Sequence, residues 1–262
     1  MASHSPRVIT LDPQELTDLS GRRNFLSKLA VVAGAAALAP MILEGHGISS
    51  MLQAQSTGET EPNLTDADIL NYALTLEYLE ATFYLRADSG GTLPMSATIA
   101  SIDPDGNASP GTVPGLSTFT PPAPSTLNVA GFIRTVRDHE IIHVVTLRNA
   151  LAAAALARSS FKFNFGSAFA SASSFLATSL ALEDTGVTAY LGQAANLDVV
   201  ATLGTAGSIL GVEAEHAAAI RTILGMPATV DNGAFDSPKT SAQVLVVAGG
   251  FITQAPALPF PK

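Results

Sequence analysis

The chain has no cysteine and no tryptophan. Without cysteine there is no disulfide, no thiolate zinc site, no cysteine-held iron–sulfur cluster and no cysteine nucleophile. Any metal must therefore be held by Glu, Asp and His. Charge is also scarce. Asp, Glu, Lys and Arg make up 13% of the 262 residues, about half of the ~25% usual in a soluble domain. Basic residues are the scarcer kind, 13 Lys and Arg against 22 Asp and Glu, for a net charge of −9. Phosphate binding needs a basic footprint, so nucleic acid is excluded as the main partner, and DNA protection with it. What remains is apolar: 47% of the chain is hydrophobic but only 6% aromatic, a composition that suits close-packed helices.

The longest uncharged stretch near the start, Leu29 to Leu43, has 15 residues, short of the ~20 that span a bilayer. It follows Ser20, Gly21, Arg22, Arg23, Asn24, Phe25, Leu26, Ser27 and Lys28. A charged segment followed by a short apolar one is the pattern of an export signal. Arg22 and Arg23 followed by Phe25 and Leu26 resemble the twin-arginine signal. Gly21 stands where Ser or Thr is usual, and Lys28 comes one place late. Residues 1–55 are thus expected to be an export signal and linker, read by the twin-arginine (Tat) translocase and delivering the chain to the periplasm or beyond the cell. The resemblance implies export of an already folded chain, loaded with its cofactor in the cytoplasm.

Proline marks the organisation of the rest, because it kinks or breaks helices. None of the 16 lies between Asn63 and Leu93 or between Ser125 and Met226, while seven crowd into Pro94 to Pro124. Helical periodicity predicts four long helices: Asp66 to Ala87, Asn128 to Ala157, Ser171 to Ala195 and Leu197 to Leu224. Thr65 and Asp68 form a capping-box-like start for the first. Residues 88–128 carry no Lys or Arg and read as a long irregular insertion. Phe161, Phe163 and Phe165 alternate strictly, which predicts an extended segment long enough to cross the bundle. A short helix around Ser241 to Phe251 is expected on the outside, within a C-terminal extension, 226–262. The predicted architecture is all-α: a four-helix bundle over residues 60–225 with one long crossover.

Between Asp66 and Gly225 there are only six Glu: Glu77, Glu80, Glu140, Glu183, Glu213 and Glu215. Acids set among apolar neighbours are costly unless paired, protonated or metal-bound. Glu140 and His143 are three residues apart on the second helix, and Glu213 and His216 repeat the spacing on the fourth. Three residues put both side chains on one face, one turn apart. The first and third helices offer Glu77 and Glu183, each after a Leu and each seven residues before a Tyr, Tyr84 and Tyr190. Seven residues are two turns, so each Tyr shares a face with its Glu. Glu80 is an alternative to Glu77, although the matching place in the second half is Gly186. His139, four residues before His143, competes as a ligand or pairs with its neighbour Asp138. Glu215 is expected to face solvent.

Residues 66–225 resemble the ferritin-like superfamily. More closely, the run from Leu70 to Tyr84, Arg137 to His143 and Leu182 to Tyr190 are similar to the ferritin-like group that includes desiccation-related proteins. The resemblance implies two divalent ions, iron or manganese, bridged by Glu140 and Glu213. Glu77 and Glu183 would be terminal carboxylates, and His143 and His216 would bind one ion each. From the residues themselves, Tyr84 and Tyr190 are expected either beside the ligands or as core packing with a buried hydroxyl bond. Glu80 is expected as a capping acid, a neighbour of the ligands or a ligand, and His139 beside or among the ligands. Four carboxylates would balance two divalent ions, and mixed oxygen and nitrogen ligands suit iron or manganese.

Two functions of different kinds follow. One is a di-iron or di-manganese protein reacting with O2 or peroxide, with an external electron donor because the chain has no cysteine-held redox module. The other is a non-catalytic structural or stress protein of the cell envelope on the same bundle. A storage shell is disfavoured by the export signal and the 88–128 insertion. Self-association is left open.

Overall fold

A computed structural model describes residues 64–105, 113–123, 125–229 and 235–257. The export segment, with Arg22 and Arg23, lies outside the described residues. Six α-helices are described: α1 (Asp66–Ala87), α2 (Ile99–Ile102), α3 (Val129–Leu151), α4 (Ala172–Gln193), α5 (Val200–Ile223) and α6 (Ser241–Ala248). The all-α reading is correct. The only described strands, β1 (Lys162–Phe163) and β2 (Ile252–Gln254), form a short antiparallel pair.

The capping box that opens α1 is present. Thr65 Oγ1 accepts from the Asp68 N–H at 3.2 Å, and the Asp68 carboxylate accepts from the Thr65 N–H at 2.9 Å. Asp66 has a second role. Its carboxylate accepts from the N–H groups of Asp198 and Val199, so the start of α1 ties down the start of α5, whose own N-cap, Val199, has no capping side chain. The main packing is α1 against α3 and α4 against α5.

Sequence periodicity gives α1 one apolar face, yet from Tyr72 to Leu85 every residue is buried. The chain after α3 covers its back. Asn71 donates to the Ala154 carbonyl and accepts from the Leu156 N–H, Tyr78 donates to the Leu156 carbonyl, Arg158 donates to Thr82, and Arg86 donates to the Phe163 carbonyl. The crossover thus runs along α1 from Asn71 to Arg86, about 22 Å at 1.5 Å per helical residue. A helix buried on every side can be apolar on every side.

The helix predicted to reach Ala157 stops at Leu151. Ala152 to Ala155 are good helix formers, but Ala152 takes φ 49°. That turn sends the chain to Asn71, whose side chain holds two backbone groups of the crossover. Phe161, Phe163 and Phe165 are all buried. The extended segment they mark is secured by β2 from the C-terminal extension rather than by alternation alone.

The 88–128 insertion is built rather than merely irregular where it is described. Ile102 and Asp103 are buried. Asp103 receives both Arg86 Nε and Nη2, at 2.8 and 2.9 Å, and Arg158 Nε donates to the Ile102 carbonyl at 2.7 Å. Buried Arg137 donates to the carbonyls of Asp88 and Gly90, pinning the exit of α1 to α3. α6 packs on α4 through buried Val244 and Ala248.

Candidate metal centre

Glu77, Glu140, Glu183 and Glu213 lie in the middle stretches of α1, α3, α4 and α5 and are fully buried; Glu80 is 2% exposed. Among the described residues, no Lys or Arg forms an ion pair with any of the five. The counter-charges of the other four are His143 and His216; neither pairs with Glu80.

The side chains form two overlapping groups. Glu77, Glu140, His143 and Glu213 each offer one ligand-type atom, all within 4.8 Å of one another. Glu140, Glu183, Glu213 and His216 do the same. Glu140 and Glu213 belong to both groups, and Glu80 to neither. His143 Nδ1 lies 3.2 Å from Glu77 and Glu140 and 3.3 Å from Glu213. His216 Nδ1 lies 3.0 Å from Glu183 and 3.2 Å from Glu140. In both imidazoles Nδ1 faces the acids.

The tyrosines cross the bundle. Tyr84 on α1 donates to Glu183 on α4, and Tyr190 on α4 donates to Glu77 on α1 at 2.5 Å. Each Tyr was expected on the same face as the Glu of its own helix, and both point inward; its hydrogen bond goes to the Glu of the other half. Spacing within a helix cannot show which neighbouring helix a side chain reaches. His139 was expected to compete as a ligand, to stand beside the ligands or to pair with Asp138. Asp138 instead takes Arg137, at 2.9 and 2.7 Å, and His139 Nδ1 sits 2.9 Å from His216 Nε2. Glu215 is exposed, as predicted.

Electrostatics follows from burial. Burial pushes the Glu77 carboxyl up to about 7, although His143 pulls it back. Burial, then Glu140 and Glu183, push Glu213 well above the usual carboxylate range. Burial, then Glu213, do the same to Glu80. Burial would raise Glu140 too, but His143 and His216 outweigh it and hold Glu140 low. Burial would lower His216, but Glu183 and Glu140 raise it to about 11. His143 is raised by Glu140 and Glu77 against the same burial.

The residues fit a pair of cations. Glu213 Oε2 is buried without a hydrogen-bond or ion-pair partner among the described residues, and Glu140 Oε1 and Glu213 Oε1 have a histidine Nδ1 at 3.2 and 3.3 Å but no hydrogen bond. They belong to the two shared acids, where a cation would satisfy them. Gly186 leaves the room: a Cβ there would stand 2.7 Å from Glu213 Oε2. Carboxylate and imidazole ligands must lose protons to bind a metal, so cation binding at these residues would release protons.

A helical bundle with four inward Glu and two Glu-x-x-His pairs defines the class of carboxylate-lined bundles. The family comparison agrees: the model of the ferritin-like domain matches residues 65–226. The chain belongs to the ferritin-like domain family. A search of curated proteins found no match.

Proposed function

We propose that this chain is an exported ferritin-like protein that holds two iron or manganese ions between α1, α3, α4 and α5 and reacts with O2 or peroxide. The observation that carries the reading is the sharing of Glu140 and Glu213 between two four-residue groups. Burying acids is costly unless cations balance them. Among the described residues no Lys or Arg pairs with these acids, which leaves two histidines to balance four carboxylates. Glu77 and His143 would hold one ion and Glu183 and His216 the other, with Glu140 and Glu213 bridging.

Such ions, when bound, supply a one-electron couple each and open positions for an oxygen species. The chain supplies the rest. The crossed tyrosines fix the terminal carboxylates Glu183 and Glu77. The apolar helices keep water from the acids. Electrons would come from an external donor. The twin-arginine pattern at Arg22 and Arg23 supports loading in the cytoplasm, followed by export of the folded protein.

Elemental analysis of the exported protein tests this reading. About two transition-metal ions per chain are expected. Retention of the Arg22→Lys, Arg23→Lys double variant in the cytoplasm would support the route. Exported protein free of iron, manganese and zinc would overturn the metal reading and favour the alternative, a structural or desiccation-related stress protein of the envelope.

A further inference from the structure

The two halves of the site are related by one shift along the chain, which carries Glu140 to Glu213 and His143 to His216. The same shift carries His139 to Val212. One histidine of the pair therefore has an imidazole behind it, and the other is matched to an isopropyl group.

His216 uses both nitrogens. Its Nδ1 faces Glu183 and Glu140, while its Nε2 meets His139 Nδ1 at 2.9 Å. The ring planes are 20° apart and the centroids 5.2 Å apart. That separation exceeds the nitrogen contact by about one ring's diameter, so the imidazoles meet end to end with the shared proton near both planes, as a good hydrogen bond requires. A neutral His216 that binds through Nδ1 carries its proton on Nε2. It then donates to His139 Nδ1, which leaves the His139 proton on its own Nε2. Asp138 is engaged by Arg137 and does not compete. Phe132 stands edge-on to His216, 6.5 Å between centroids, and closes another side of the ring. His143, by contrast, has contacts through Nδ1.

We propose that His139 is a positioning residue for His216 that makes the two metal positions unequal, the Glu183–His216 position binding its ion more tightly than the Glu77–His143 position. This rests on the two-ion reading above. A ligating imidazole whose far N–H is held is fixed in tautomer and ring orientation and is a better donor; loss of such a partner typically costs ~10–100-fold in metal affinity.

The test is anaerobic titration of the full chain with Mn(II), following free Mn(II) by electron paramagnetic resonance. The wild type should take up two ions in two separable phases. His139→Val should weaken the tighter phase ~10–100-fold and leave the other unchanged. His139→Gln, which keeps an accepting oxygen, should recover part of the loss. Circular dichroism melting of the metal-free variants separates binding from folding. If His139→Val does not fold, the Gln variant carries the comparison through the selectivity of its smaller loss. Two equal phases in the wild type, an equal loss at both positions, or no loss at either would overturn the inference alone. A wild-type chain that binds no Mn(II) would overturn the metal reading, and the inference would fall with it.

Discussion

Tyr84 donates a hydrogen bond from its hydroxyl to Glu183, a carboxylate on a different helix and 99 residues away in sequence. Tyr190 makes the reciprocal bond to Glu77. Each half of the bundle therefore orients an acid of the other half, and these buried bonds fasten α1 to α4.

Tyr84→Phe and Tyr190→Phe should each destabilise the metal-free protein by about 1.5–3 kcal/mol, the range for hydrogen bonds to charged groups. Each removes a donor and leaves a buried carboxylate oxygen without a partner, while the ring stays to fill its space. Urea denaturation checks the size of the effect. A change below about 0.5 kcal/mol for both, the level of an ordinary surface substitution, would mean that the crossed bonds hold nothing.

Glu77→Gln and Glu80→Gln should part company in a titration with Fe(II) or Mn(II). The structure puts Glu77 in a metal-type group and leaves Glu80 outside both groups. Glu77→Gln should lose one of the two ions, and Glu80→Gln should keep both. Glu80→Gln should also raise stability at neutral pH, because burial raises the Glu80 pKa well above its ordinary value and the neutral amide removes the cost of protonating it on folding. Isothermal calorimetry and thermal melting read the two effects separately.

Much of this could be read from the sequence, for identifiable reasons. The Thr65–Asp68 box and the Asp66–Ala87 helix depend on neighbours in the chain, so both were legible. So was the gathering of Glu77, Glu140, His143, Glu183, Glu213 and His216, because few acids stand on these helices and the Glu-x-x-His spacing recurs. The crossed tyrosines and the His139–His216 contact were not legible, since both depend on how separate helices face each other. Nor was the end of α3. Ala152 to Ala155 favour helix locally, and the competing pull comes from Asn71, on another helix. β2 was missed for the same reason: its pairing with Lys162 and Phe163 joins segments about 90 residues apart.

The metal-free protein should lose stability as the pH rises from about 5 to 8. Glu77 has its pKa raised from 4.5 to about 7, so its contribution is complete below 4.5 and is lost as the pH climbs through 7. His216 is raised from 6.5 to about 11, so its contribution is complete below 6.5 and is lost toward 11. Both push in the same direction. Glu140, held low, acts on the acid side: its contribution is present above 4.5 and is lost as the pH falls below that. His139, which is lowered, opposes the trend weakly below 6.5. Bound cations would replace the protons, so the gain in melting temperature on adding Mn(II) should grow with pH across the same range. Melting curves with and without Mn(II) at pH 5, 6, 7 and 8 check both statements.

Anomalous diffraction from crystals of the Mn(II)-loaded protein, collected at the manganese edge, tests the central claim most directly. The account predicts two peaks inside the bundle: one among Glu77, Glu140, His143 and Glu213, and the other among Glu140, Glu183, Glu213 and His216. A single peak outside these groups, or none in crystals grown with saturating Mn(II), would contradict it.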